Sequence, residues 1–232
     1  QAFERPLNWT LERWNYARYF VAPFLGAFGL ANTPNENPDI TNESSKEAIR
    51  FWENSIGVWE NKASEIVAVV CPDEHVPWHP VFGQPHFQRR PQYDFLLKEM
   101  LDYADATFRD RQRNLHKIWT YEHDESLNTL LQNQGYEQDA GHPDYISEFI
   151  INQLPESKLA EGYAFRSMQD ENNLEKRRKI FGRAFRHPDP KDWPTIFSYQ
   201  ELQRAPDYRK DLDIYIVAVS YTHLRAHETV LD

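Results

Sequence analysis

The chain has little cysteine and no long apolar stretch. Its 232 residues include a single cysteine, Cys71, so no internal disulfide can form and a reducing compartment is favoured. No apolar run approaches the roughly 18 residues that a membrane-spanning helix needs. Because no secretory signal is recognisable either, we expect a cytoplasmic protein with no membrane partner.

Positive charge is also scarce relative to negative charge. Lys and Arg number 26 against 36 Asp and Glu, which gives a formal net charge of -10. Such a chain repels polyanions, so we expect no nucleic-acid partner, and small polar metabolites suit this balance better. Apolar residues make up 40% of the chain and aromatic residues 14%, which is enough for a folded core.

Residues 56–100 carry the clearest pattern of secondary structure. Residues 56–59 and 66–71 are apolar and flank a polar turn, which predicts a β-hairpin. Residues 81–88 predict a third extended segment. From Tyr93 onward, apolar residues recur at three- and four-residue steps and predict an amphipathic helix.

The short loop before this helix is a candidate anion site. A helix N-terminus presents free N–H groups to a phosphate, and the loop contains Gln88, Arg89, Arg90 and Gln92. The alternative is a solvated basic turn, because the loop has no glycine to bring the backbone close and Pro91 removes one donor.

The order of hairpin, third strand, loop and helix resembles the core of the GNAT acetyltransferase fold. The family's loop at this point, Arg/Gln-x-x-Gly-x-Gly/Ala, binds the pyrophosphate of acetyl-coenzyme A. The resemblance therefore implies acetyl-coenzyme A as co-substrate, with Gln88, Arg89, Arg90 and Gln92 as its degenerate site. Asp124 and Gly135 bound a predicted helix that resembles the family's fourth helix, where Leu131 replaces a tyrosine that is often the general acid.

A similar pattern begins again after residue 162. Residues 163–167, 172–185, 195–203 and 212–218 predict strand, helix, helix and strand, which resembles the opening of a GNAT domain. Residues 162–168, 183–188 and 204–213 resemble the second domain of tandem GNAT proteins.

These resemblances imply a domain organisation in four parts. A GNAT-like domain, N-terminally incomplete and degenerate, spans residues 1–154 and is followed by a linker, 155–162. A truncated second GNAT domain spans 163–218. Residues 219–232 resemble the translation of a sequencing adapter, so we expect them to be non-native.

We therefore expect an α+β fold with a GNAT-like, mainly antiparallel sheet flanked by helices. The resemblance implies transfer of an acetyl group from acetyl-coenzyme A to a primary amine of a small molecule or peptide, with this chain itself inactive. One alternative is a non-catalytic ligand-binding or scaffolding module. An unrelated α+β metabolite-binding protein is a third.

Several residues near the strand ends have reactive side chains. The spacing of Cys71, His75, His79 and His86 suits zinc ligands, but the interleaved prolines favour a loop with surface histidines, so we expect no metal. We expect Cys71 to be a buried thiol rather than a nucleophile. Four carboxylates are candidates for a general base, and the sequence does not choose among them: Glu60, Glu65, Asp73 and Glu74.

The remaining segments give weaker predictions. A helix is expected over residues 9–20 and is ended by Pro23 and Gly26, followed by a surface loop over 31–44 and a short helix over 47–51. Strands are expected over 116–121 and 145–151. The tryptophans of the first part either pack in the core or line a substrate groove: Trp9, Trp14, Trp52 and Trp59.

Overall fold

The structure is a computed structural model that describes residues 11–28, 38–75, 84–139, 141 and 158–219. These residues form two compact units. Unit 1 contains the described parts of Gln1–Glu137 together with Leu174–Tyr208, and unit 2 contains those of Gln138–Asn173 and Arg209–Asp232. Both contain helix or antiparallel sheet, so the predicted α+β class is confirmed at that level.

Unit 1 contains a three-stranded antiparallel sheet in the order β1-β2-β3. The strands are β1 (Gly57–Glu60), β2 (Ile66–Pro72) and β3 (Pro85–Arg89). The hairpin turn is held by Asn61, whose side-chain oxygen accepts from the N–H groups of Ala63 and Glu65. The predicted hairpin is therefore confirmed; the third strand is confirmed from residue 85, and residues 81–83 lie outside the described residues.

Two helices cover one face of this sheet. They are α4 (Leu97–Phe108), entered through a 3-10 helix (Pro91–Leu96), and α5 (Glu125–Asn133). Asp124 caps α5 by accepting from the N–H of Leu127, and Gly135 has the positive φ that ends such a helix. The shared core consists of Ala68, Val70, Phe87, Leu97, Met100, Leu101, Ala104, Phe108, Leu127 and Leu131.

The other face packs against the first helices. These are α1 (Leu11–Tyr16), a π-helix (Ala17–Val21), α2 (Ala22–Phe28) and α3 (Pro38–Asn54). Neighbouring residues of a strand point to opposite faces, so Cys71 joins a second core with Ala17, Ala22, Ile49 and Trp52. Trp52 is fully buried and meets Trp14 edge to face, so these two tryptophans belong to the core region.

Two predictions in this region are wrong. Pro23 and Gly26 do not end a helix, because the π-turn from Ala22 to Ala17 starts a new helix in which Pro23 occupies the first turn, where its missing N–H costs little. The predicted loop over 31–44 is also incorrect from residue 38, where the described part begins, whereas the helix predicted over 47–51 is confirmed as part of the longer α3. Pro38 begins α3, a position that its fixed φ favours.

The predicted strand over residues 116–121 is wrong as well. The segment forms no ladder within the described residues, and the Trp119 N–H donates to the Pro85 carbonyl at 3.3 Å. Its apolar alternation instead packs Ile118 against the first core. The predicted strand over 145–151 lies outside the described residues.

Residues 174–208 complete unit 1. They form α6 (Leu174–Ala184) and α7 (Ile196–Leu202), where the sequence pattern predicts helices, with a 3-10 helix (Pro190–Asp192) between them that it does not predict. Thr195 caps α7 by accepting from Ser198 N–H. Phe181 of α6 and Tyr199 of α7 contact Phe20 in the π-helix.

Unit 2 contains the two-stranded antiparallel sheet of β4 (Tyr163–Ser167) and β5 (Ile214–Ala218). Phe165 pairs with Ile216 in its register. The order strand, helix, helix, strand follows the sequence pattern, although the two helices belong to unit 1. Within the described ranges, no helix combines the length and the apolar character that crossing a membrane requires.

Candidate functional site

Arg89, the central residue of the predicted anion loop, is already paired with two carboxylates. It stands at the end of β3, and its Nε donates to Asp94 Oδ1 at 2.8 Å. Its two terminal nitrogens donate to the two oxygens of Asp124, each at 2.8 Å. The side chain is only 5% exposed, so Arg89 bridges β3, the 3-10 helix and the start of α5.

The electrostatics of this bridge fix the guanidinium in its charged form. Burial alone would lower the pKa of Arg89, but the hydrogen bonds and negative charges of Asp124 and Asp94 outweigh burial and raise it. Asp94 also accepts from Ser126 Oγ at 2.9 Å. The two carboxylates thus supply the negative charge that a bound phosphate would otherwise bring.

The other predicted residues of the loop are closer to the surface. Arg90 lies 3.5 Å from Glu65 in a pair that is well exposed on both sides. Gln88 is half-buried opposite Val69 in the β2–β3 ladder, and Gln92 is exposed. Of the four residues, Arg89 has a buried side chain, Gln88 and Arg90 are half-buried and Gln92 is exposed.

The backbone of the loop offers little to an anion. Pro91 has no N–H, and the N–H of Tyr93 is bonded to the Arg90 carbonyl at 2.9 Å. The α-helix proper begins at Leu97, after the 3-10 helix, and its N-cap position is occupied by Leu96, which makes no side-chain cap. The expected geometry of a loop leading directly into an α-helix N-terminus is absent from these described residues.

A second group of titratable residues lies at the end of β2. We call Arg13, Tyr16, Asp73 and Glu74 the β2-end cluster. Arg13 binds Asp73 at 3.1 Å. Burial raises the pKa of Glu74, with Asp73 adding to the effect, and burial followed by Glu74 and Asp73 raises the pKa of Tyr16.

Glu74 is therefore distinguished from the other general-base candidates. Glu60 and Glu65 lie at the exposed hairpin turn, and Glu65 is engaged by Asn61 and Arg90. A carboxyl group with a raised pKa exchanges protons nearer neutral pH, which suits acid–base chemistry. The structure thus provides a basis for choosing Glu74 that the sequence does not.

The residues proposed as metal ligands do not assemble into a described site. Cys71 is buried, as expected, and burial followed by the charge of Asp73 raises its thiol pKa. The ring of His75 contacts Phe51 and Phe108, while His86 stacks on Trp119. His79 lies outside the described residues, and among those described no group of three or more candidate ligands occurs.

Sequence reasoning missed the partners of the buried charges. Asp124 is recognisable as a helix cap, but its pairing with Arg89 joins residues 35 positions apart and leaves no local signal. The same holds for Arg18 in the π-helix, which binds Glu53 at 2.8 Å and the buried Glu201 of α7 at 3.3 Å.

Comparison of the chain with protein-family models, with curated proteins and with solved structures found no significant match.

Proposed function

We propose that the chain is part of a GNAT-type N-acetyltransferase and that its first sheet, with the flanking helices, serves as a non-catalytic module. The parent activity would transfer acetyl from acetyl-coenzyme A to a primary amine of a small molecule or peptide. Support comes from the order β1, β2, β3, loop and α4, and from the phrases in residues 162–213 that resemble the second domain of tandem GNAT proteins.

The observation that carries the non-catalytic role is the pairing of Arg89 with Asp94 and Asp124. A pyrophosphate approaching this loop meets two carboxylates and no free backbone cradle, so its binding would require breaking a buried ion pair. Breaking such pairs costs about 3 to 5 kcal/mol, which cancels most of a millimolar binding energy of about 4 kcal/mol.

A second observation agrees with this assignment. Leu131, which stands where the family has its general-acid tyrosine, is buried in the core between the sheet and α5. A leucine has no proton to give to a coenzyme A thiolate. The first unit therefore lacks both groups that the acetyl-transfer chemistry requires at these positions.

The test is calorimetric titration of the purified chain with acetyl-coenzyme A. We expect no binding up to about 1 mM ligand, and no release of coenzyme A thiol with a panel of primary amines. The natural full-length gene product, assayed in parallel, is expected to acetylate at least one amine.

Two variants identify the loop if binding does occur. The first double variant, Arg89→Ala with Arg90→Ala, removes both arginines of the loop but also breaks the buried bridge of Arg89. The matched double variant, Arg90→Ala with Gln92→Ala, changes the exposed part of the loop and leaves Arg89 in place. Micromolar binding that both double variants weaken would show a working cofactor loop and would overturn the non-catalytic role. A full-length product inactive on every amine would count against the acetyltransferase assignment.

A further inference from the structure

A buried histidine joins three segments of unit 1 near the residue at which its first part ends. His116 Nδ1 lies 2.7 Å from the Tyr136 hydroxyl, just after α5, and 3.4 Å from Asp105 Oδ1 on α4. Asp105 is held in turn by Arg109, whose Nε donates to it at 2.7 Å. The first part of unit 1 ends at Glu137, so Tyr136 lies one residue before this boundary.

The second ring nitrogen of His116 has no hydrogen-bond partner among the described residues. The side chain is 3% exposed, and its buried Nε2 contacts no acceptor or donor within hydrogen-bond distance there. A neutral imidazole can leave Nε2 as an unused lone pair at modest cost. An imidazolium carries a proton on both nitrogens, and a buried charged N–H without an acceptor is much more costly.

The charged groups around the ring act in both directions, and burial prevails. Burial lowers the pKa of His116; Asp105 opposes this effect, while Arg109 adds to it. Burial and the charge of Asp105 raise the pKa of Tyr136 to about 12, so its hydroxyl remains protonated throughout the physiological range. His116 is thus the group of this set that gains a proton on acidification once opening relieves its burial.

We propose that His116, Tyr136 and Asp105 form an acid-sensitive clasp, which holds residues 134–137 against the rest of unit 1 while His116 is neutral and releases them when it is protonated. The backbone bonds lost on release include Gly135 N–H to the Gln132 carbonyl and Tyr136 N–H to the Leu131 carbonyl, both 3.0 Å. The clasp therefore controls how firmly the chain is held just before it leaves the first part of unit 1.

The sign of the pH dependence follows from proton linkage. In the closed clasp, burial disfavours protonation of His116. In the open clasp, His116 is solvated and accepts a proton with the ordinary histidine pKa of about 6.5. Above that pH the clasp is fully stable. Below it, the opening equilibrium constant rises by up to about tenfold for each pH unit until the closed form also protonates.

Hydrogen exchange of the whole chain, read by mass spectrometry on peptides covering residues 130–137, tests the clasp. After correction for intrinsic exchange rates, protection of these amides is expected to fall about tenfold or more between pH 7.5 and pH 5.0. His116→Asn places an amide nitrogen where Nδ1 stood and cannot be protonated, so its protection is expected to change less than about twofold. Exposed His123→Gln is the matched control and should behave like the unmodified chain.

Three outcomes would overturn the clasp: unchanged protection at pH 5.0, an equal fall in His116→Asn, or an equal fall in the buried amides of α3, which would indicate global unfolding. If His116→Asn does not fold, Tyr136→Phe replaces it. That variant lacks the 2.7 Å contact and is expected to show the low protection of residues 134–137 already at pH 7.5. Protection in Tyr136→Phe equal to the unmodified chain would also overturn the clasp.

Discussion

Two histidines show how burial sets the ionisation of single residues in unit 1. His75 lies against Phe51 and Phe108, with ring centroids 4.7 and 5.0 Å away, and burial lowers its pKa to about 4. Burial, with a smaller effect from Arg13, lowers the pKa of His86 to about 3. Both are held neutral in the folded chain, although the sequence favoured surface histidines.

The unfolded chain therefore binds protons that the folded chain excludes. Each such histidine has an unfolded pKa of about 6.5, so its neutral form is compatible with the fold above that pH. As the pH falls below 6.5 towards the folded value near 4, protonation of the unfolded state removes about 1.4 kcal/mol of stability per pH unit and per histidine.

Replacing His75 by phenylalanine should remove one of these contributions. The aromatic ring contacts are retained and no titration remains, so His75→Phe should lose about 1.4 kcal/mol less than the unmodified chain between pH 7.5 and pH 5.5. Urea unfolding at both pH values measures the difference. His123→Gln, an exposed control, should lose as much as the unmodified chain; an equal loss in His75→Phe would contradict a neutral buried His75.

At the scale of elements, the sequence correctly predicts those features that depend on interactions between neighbouring residues. The polar turn around Asn61, the Asp124 cap and the Gly135 helix end are all short-range features, and each is confirmed. The predicted helix end at Pro23 and Gly26 is wrong, because the π-turn and the contact with α3 override the low helix propensity of these two residues. Turn chemistry is readable from sequence, whereas helix packing that rescues a weak helix former is not.

Gly26 is required by the close approach of α2 and α3. A Cβ at this position would lie 2.7 Å from both the Ala48 Cβ and the Ser45 Cα, and the latter is backbone that cannot rotate away. Gly26→Ala would ordinarily stabilise a helix by about 1 kcal/mol, but overpacking costs about 1 to 3 kcal/mol, so we expect a net loss of up to about 2 kcal/mol.

Thermal or urea unfolding of Gly26→Ala tests this packing. The control is Gly141→Ala, where the contact that a Cβ would make among the described residues is with the Asp139 side chain at 3.5 Å, an ordinary distance. We expect the control to change stability by less than about 0.5 kcal/mol. A stabilised Gly26→Ala would mean that α2 and α3 are not in such close contact.

At the scale of the whole molecule, the grouping of elements is what the sequence could not supply. The sequence pattern of residues 174–208 predicts part of a second domain, whereas the structure groups these residues with unit 1. The contacts responsible join Arg18 to Glu201 and Asn15 to Asp207, across more than 180 positions. The Arg89–Asp124 pair is non-local in the same way. Nearby residues therefore predict neither that residues 174–208 belong to unit 1 nor that the arginine of the candidate loop is already paired.

Phe20 gives the sharpest test that α6 and α7 fold together with the first helices. Its side chain is buried, and its ring lies 5.7 Å from Tyr199, 6.0 Å from Phe181 and 5.9 Å from Phe24. Phe20→Ala should cost about 3 to 5 kcal/mol, because it removes aromatic contacts from both sides of this interface.

Hydrogen exchange then decides how far the loss spreads. If residues 174–208 unfold cooperatively with the rest of unit 1, the amides of α7 and of α3 should lose protection by the same factor in Phe20→Ala. The variant should also still show a single unfolding transition. Tyr199→Phe, which keeps the ring and removes only the hydroxyl, is the matched control and should shift both helices much less. Protection retained in α7 while α3 loses it would place α7 in a separate folding unit, as the predicted domain boundaries require.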